Sequence, residues 1–189
     1  MKSKVKRILI VGTPGSGKTT IAKLLAKKLG FEFLSINQVV KLNRLFLGYD
    51  KKLKSHIVNL KDLKRILNKT LKKQQKGIVI EGHLGCEIKL DVDRVIVFRI
   101  DPKILYLRLK KRKYNKEKIR QNLEAELIDY CTQKSLFYYK NKVVELDVSN
   151  KTELQILKDI FKILENKKIK QNINWSHYLL DENFSKVFL

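Results

Sequence analysis

Short, mainly apolar runs alternate along this chain with longer stretches in which apolar residues recur every three or four positions. Residues 8–11 (Ile-Leu-Ile-Val), 31–34, 78–80, 94–100 and 143–148 form the runs. They are too short for helices and rich in β-branched side chains, as strands buried on both faces are. Between them the helical period predicts a helix from Lys18 to Leu29, with Ile21, Leu24, Leu25 and Leu29 on one face and Lys23, Lys27 and Lys28 on the other, ended by Gly30. A helical piece over residues 37–45 is broken by Gly48-Tyr49-Asp50. Asn59, with Asp62 in the first turn, caps a helix striped by Leu60, Leu63, Leu67 and Leu71. Asp101-Pro102 is an N-cap followed by a first-turn proline, opening a helix that turns Ile104, Leu105 and Leu109 inward. Asn115 caps a long helix with Ile119, Leu123, Leu127 and Tyr130 on one face. Asn150 with Glu153 reads as a capping box for a last helix carrying Leu154, Leu157, Phe161 and Leu164. The pattern is that of an α/β protein.

The first strand runs straight into Gly12-Thr-Pro-Gly-Ser-Gly-Lys-Thr-Thr20, which satisfies GxxxxGK[ST] at Gly12, Gly17, Lys18 and Thr19. Strand, glycine loop and helix in this order make a phosphate cradle. The glycines let backbone N–H groups turn inward, the helix adds the positive end of its dipole, and the Lys18 ammonium reaches the β and γ phosphates. Thr19 offers a hydroxyl to Mg²⁺.

Residues 78–80 deliver Glu81-Gly82-His83 to the C-terminal edge of the sheet, where ligands of open parallel sheets sit. Glu81 is placed to hold Mg²⁺ through its waters, and His83 either orients an attacking water or the acceptor, or is structural. His56 and His177 are assigned to structure. Arg108, the run Lys110-Lys111-Arg112-Lys113-Tyr114, and Arg120 gather between two helices, as in a lid over polyphosphate; the alternative is a solvated or RNA-facing surface. Arg112 is the leading candidate, with Arg108 and Arg120 behind it.

Composition narrows the class. A chain of 189 residues, 43% hydrophobic, fits one globular domain. No apolar run approaches the roughly 18 residues of a membrane span, and the basic start opens into a strand rather than a signal segment, so a cytoplasmic protein is expected. Cys86 and Cys131 lack metal or disulfide spacing and read as small buried hydrophobes. Forty-two Lys and Arg against 19 Asp and Glu give a net charge of +23. This either attracts nucleic acid and other anions or reflects a lysine-rich compositional bias or heat-adapted surface. Beyond a polar stretch at residues 166–172, a tail with Trp175, Tyr178, Phe184 and Phe188 packs back on the domain or binds a partner. The expected division is one kinase domain over residues 1–165 and a tail over 166–189.

The phosphate loop, Leu45-Phe-Leu-Gly-Tyr-Asp50, Glu81-Gly82-His83 and above all the block from Asp101 to Glu126 resemble the adenylate kinase isoenzyme six family, also called the coilin-interacting nuclear ATPase family, in its archaeal branch. The resemblance runs from about residue 7 to 148, and Ile173-Asn-Trp-Ser176 resembles a tail element of that branch. It implies a P-loop nucleoside monophosphate kinase fold: a five-stranded parallel sheet flanked by helices, an acceptor-binding segment near residues 35–58 and a short lid near 111–121. It also implies transfer of phosphate from ATP to AMP, ATP hydrolysis, and small ribosomal subunit maturation through small-subunit ribosomal protein eleven; Mg²⁺ as the cofactor, ribosomal RNA as a partner suggested by the charge, and a monomer or weak dimer are expected beside it. By matching positions, Gly15, Gly17, Lys18, Thr19 and Thr20 bind ATP, Arg112 is the lid arginine, and Lys41 falls where the family offers a basic residue to the acceptor; Ser16 is expected to bind ATP with its loop, and Arg108 and Arg120 to bind substrate. Three departures stand out. Glu81 replaces the aspartate of Asp-x-His, Asn59 replaces an aspartate, and Lys113 takes the place of the lid glycine. A rival reading is an assembly ATPase whose nucleotide cycle times the docking of RNA or a ribosomal protein.

Overall fold

A computed structural model describes residues 5–169, 171, 173–181 and 184. Five strands form one parallel sheet: β1 (Arg7–Gly12), β2 (Glu32–Ser35), β5 (Ile78–Glu81), β6 (Arg94–Arg99) and β7 (Val143–Asp147), in the spatial order β2-β5-β1-β6-β7. The chain therefore leaves β1 toward one edge, returns to its side with β5, and crosses to the other side with β6. Such a reversal beside the central strand opens a crevice at the strands' C-terminal ends, and the glycine loop starts there.

Side chains alternate strictly across the sheet, and each face is covered by helices. Ile8, Ile10, Val79, Ile96 and Phe98 point to one face, where α1 (Lys18–Leu29), α4 (Pro102–Lys111), α5 (Lys116–Leu127) and α7 (Glu153–Leu164) pack. Leu9, Val11, Ile78, Ile80, Val95 and Val97 point to the other, under α2 (Ile36–Leu42), α3 (Leu60–Lys73) and α6 (Tyr130–Tyr139). Burial on both faces explains why these strands read as continuous apolar runs. Cys86 and Cys131 are free thiols inside the second cluster, as expected of small hydrophobes.

Several termini follow their local chemistry. Gly30 ends α1 in the left-handed conformation (φ 66°), with the Phe31 amide reaching back to the Ala26 carbonyl at 2.9 Å. Asn59 caps α3 through the Asp62 amide, and Asp101 caps α4 through the Lys103 and Ile104 amides.

Four expectations are corrected. Residues 45–58 are a two-stranded antiparallel hairpin, β3 (Phe46–Asp50) and β4 (Ser55–Val58), rather than a broken helix end. The long helix from Asn115 is two helices, because Asp129 adopts a left-handed conformation (φ 55°) between α5 and α6. The cap of α7 is Thr152 with Gln155, two residues beyond the Asn150/Glu153 box. Leu154, in the first turn of that helix, faces solvent, while Ile156, Ile160 and Ile163 join Leu157 and Leu164 in the core. In the tail, Trp175, Tyr178 and Phe184 form a small cluster with Leu127 of α5, and the Tyr178 hydroxyl donates to Asp101 at 2.7 Å. Phe188 lies outside the described residues.

Candidate active site

Gly12 to Thr20 wraps the C-terminal end of β1 and feeds α1. Two of its glycines are required by close contact as well as by positive φ. A Cβ on Gly12 (φ 137°) would stand 2.4 Å from the Phe98 carbonyl oxygen, and one on Gly15 (φ 101°) 2.9 Å from Leu105. The loop is thus pressed against β6 and α4, which fixes the directions of its N–H groups. Lys18 is buried, its Nζ donating to the Thr13 carbonyl at 2.9 Å and to Ser16 Oγ at 3.2 Å. Burial pushes its pKa down, and Glu81 and Glu126 oppose that shift. Thr19 and Thr20 are exposed at the start of α1.

One arginine of α4 reaches the same loop, and the arginine that caps the helix adds its charge nearby. Arg108 Nη1 donates to the Gly15 carbonyl at 3.4 Å, and its pKa is lowered by burial and by Arg112. Arg112, exposed, ends α4 close enough for its charge to act on Lys18 also. The turn between α4 and α5 is set by backbone bonds that run from the Lys113 amide to the Lys110 carbonyl (2.9 Å) and from the Tyr114 amide to the Leu109 carbonyl (3.3 Å), with Lys113 at φ 57°. This paired arrangement ordinarily carries glycine at its left-handed position. Arg120 is turned to its own helix, pairing with Glu117 (3.4 Å) and Glu124 (3.7 Å). Lys41 lies exposed in the last turn of α2.

The hairpin meets the start of α5. Asn115 Nδ2 donates to the Lys52 carbonyl at 3.0 Å, and Lys52 Nζ pairs with Glu117 at 3.1 Å, holding that carboxyl below its ordinary pKa. On the exposed side of the hairpin the His56 ring lies between Phe46 (4.3 Å) and Tyr49 (5.1 Å).

At the opposite wall Glu81 is buried and accepts from Ser35 Oγ at 2.7 Å. His83 opens a 3₁₀ turn, His83–Cys86, after Gly82. Its pKa is lowered to about 4 by burial and by the charges of Lys18 and Lys118, so the imidazole is neutral at physiological pH. The donor set for a cation is one buried carboxylate and one exposed hydroxyl, Glu81 and Thr19, and among the described residues no group of three His, Cys, Asp or Glu could hold a metal. That fits Mg²⁺, which commonly takes one or two protein oxygens and completes its shell with waters and phosphate oxygens.

Three supporting residues escaped the sequence reading. Thr13 donates its hydroxyl to Glu126 Oε2 at 2.5 Å. Glu126 Oε1 accepts from Arg99 Nε at 2.8 Å, and Arg99, 3% exposed, also bonds Glu145 and Asp129. Burial alone would lower Arg99, but its three carboxylates outweigh it and keep it charged. An arginine closing the apolar run Val95-Ile-Val-Phe98 is a signal that a carboxylate must come to meet it.

A family profile described as "AAA domain" matches residues 8–129. A Methanocaldococcus jannaschii protein named "Putative adenylate kinase" is 33% identical over 176 residues, covering 93% of this chain and 96% of its own length. A Pyrococcus abyssi protein of the same name is 37% identical, covering 89% and 91%. The chain belongs to this adenylate-kinase-like family. Among solved structures, shikimate kinases from Bacteroides thetaiotaomicron (TM-score 0.55, 18% identity, 84% of this chain and 98% of that one) and Aquifex aeolicus (0.54, 19%, 85% and 96%) share the fold. The five-stranded parallel sheet is that of P-loop kinases. Among the described residues no helix is long and apolar enough to cross a membrane.

Proposed function

We propose that this adenylate-kinase-like protein moves the γ-phosphoryl group of ATP to AMP, with slow hydrolysis as a side activity. The observation that carries the reading is the contact between the start of α5 and the hairpin, where Asn115 and Glu117 reach Lys52. A donor-binding element and a second arm that close on each other suit a reaction between two bound substrates better than hydrolysis alone. The names of the archaeal relatives support AMP as the acceptor.

In this reading Gly15, Ser16, Gly17, Lys18, Thr19 and Thr20 hold the triphosphate, and Arg108 and Arg112 supply the charge that a transferring phosphoryl group needs. Lys18 spends two of its three N–H donors on the Thr13 carbonyl and Ser16 Oγ, which aims the third at phosphate oxygens. Thr19 and Glu81 would hold Mg²⁺, which would supply positive charge to the transferring phosphoryl group. The AMP phosphate is already ionised, so transfer requires in-line positioning rather than a base. Hydrolysis requires an oriented water, and neutral His83 or Glu81 is the group for it. Lys41, on the helix before the hairpin, is the basic residue on the acceptor side. Arg120 joins it only by exchanging its carboxylate partners on α5.

A second reading is favoured by the net charge of +23: an assembly ATPase of the isoenzyme six type, engaging small-subunit ribosomal protein eleven or ribosomal RNA in subunit maturation. One assay separates the two. ADP formed from ATP and Mg²⁺ should rise sharply when AMP is added, change little with ribosomal RNA, and vanish in Lys18→Ala. Stimulation by RNA or the ribosomal protein with AMP inert would overturn the kinase reading.

A further inference from the structure

Glu126 of α5 is 2% exposed and has no direct part in the transfer, yet its two oxygens join separate parts of the molecule. Oε1 accepts from Arg99 Nε (2.8 Å) and from the Ile100 amide (3.2 Å), which ties it to β6. Oε2 accepts from Thr13 Oγ1 (2.5 Å) inside the glycine loop. Thr13 is therefore gripped from behind by a carboxylate, while in front its carbonyl accepts from Lys18 Nζ and from the Ser16 amide (3.2 Å). A displacement of Glu126 must reach the Lys18 ammonium through a single residue.

The helix that carries Glu126 also starts at the lid. Asn115 caps α5 directly after the Arg112–Tyr114 turn, and Asp129, at φ 55° and bonded to Arg99, marks its other end. At 12 residues the helix is about 18 Å long. It is one continuous rod that begins beside Arg112 and carries Glu126 in its last turn, so a shift of the turn before it is transmitted to Glu126.

We infer that Glu126 and Thr13 are positioning residues that couple the lid to the phosphate loop, so that Arg112 closing over the donor and Lys18 gripping it are one event rather than two. The inference rests on the loop binding ATP. If the cluster were only part of the core, losing the Thr13 hydroxyl would lower stability without touching the interplay of Lys18 and Arg112.

Glu126→Ala would strip Arg99 of its most buried partner and threaten the fold. The test is therefore made on Thr13, at a temperature where each variant is folded. Thr13→Val keeps the shape and removes the donor; Thr13→Ser keeps the donor. ATP with Mg²⁺ is titrated calorimetrically into wild type, Thr13→Val, Thr13→Ser, Arg112→Ala and the Thr13→Val/Arg112→Ala double variant. Thr13→Val should weaken ATP about tenfold, the worth of one hydrogen bond to a charged group, and Thr13→Ser should restore most of that. Once Thr13→Val has cut the link, losing Arg112 should cost at least about threefold less affinity than it costs the wild type. The double variant should then bind better than the product of the two single losses predicts. Wild-type affinity in Thr13→Val, or losses that simply multiply, would overturn the coupling. No ATP binding by wild type would instead overturn the nucleotide reading itself, and the coupling with it.

Discussion

His83 shows how much one side chain's surroundings decide. Partly buried beside Lys18 and Lys118, its imidazole titrates at about 4 instead of 6.5. Between those values the unfolded chain binds a proton that the folded one refuses, so stability rises with pH across the window and falls as the solution is acidified through it. At the limit this is about 1.4 kcal/mol per pH unit, less whatever solvent screens. His83→Gln should therefore flatten the dependence of the denaturation midpoint on pH between 6.5 and about 4. An unchanged slope would mean that the ring is solvated. The same neutrality predicts that any His83-dependent hydrolysis is level across the neutral pH range. At this scale the sequence is informative where chemistry is local: GxxxxGK[ST] places Lys18 and Thr19 by itself. It is silent where partners are distant in the chain. Thr13 and Glu126 are 113 residues apart, and neither looks unusual among its neighbours.

Among elements, the lid turn is the most instructive. Lys113 occupies the left-handed position of a helix-ending motif in which glycine is usual, and a side chain there costs roughly 1 kcal/mol. Lys113→Gly relieves that strain but gives the unfolded chain more freedom. The net gain expected is about 0.5 kcal/mol, seen as a melting temperature higher by about 1–2 °C. A fall would mean that the Lys113 ammonium contributes more than its backbone costs. The elements that escaped prediction share a physical cause. β3 and β4 are mostly exposed, with a register shift between Phe46 and Gly48, so no buried alternation marks them. The apolar stripe Ile119, Leu123, Leu127, Tyr130 runs unbroken past Asp129, because the bend lets two helices share one core rather than interrupting burial. By contrast α1, α3 and the five sheet strands were legible: the helices have a buried period with a cap or glycine to bound it, and the strands are short, mainly apolar stretches.

For the whole molecule, the order of the sheet brings four remote segments to one crevice: the loop after β1, Glu81 and His83 after β5, the arginines of α4 after β6, and the hairpin from between β2 and α3. The central claim is that lid and hairpin close on two substrates at once. A bisubstrate compound in which five phosphates join two adenosines tests this most directly, because it offers donor and acceptor ends on one chain and gains from both only if both sites exist. Titrated calorimetrically in the presence of Mg²⁺, it should bind with one molecule per chain and at least about a hundredfold more tightly than ATP. Affinity no better than that of ATP would contradict a two-substrate site and leave only a nucleotide-binding loop.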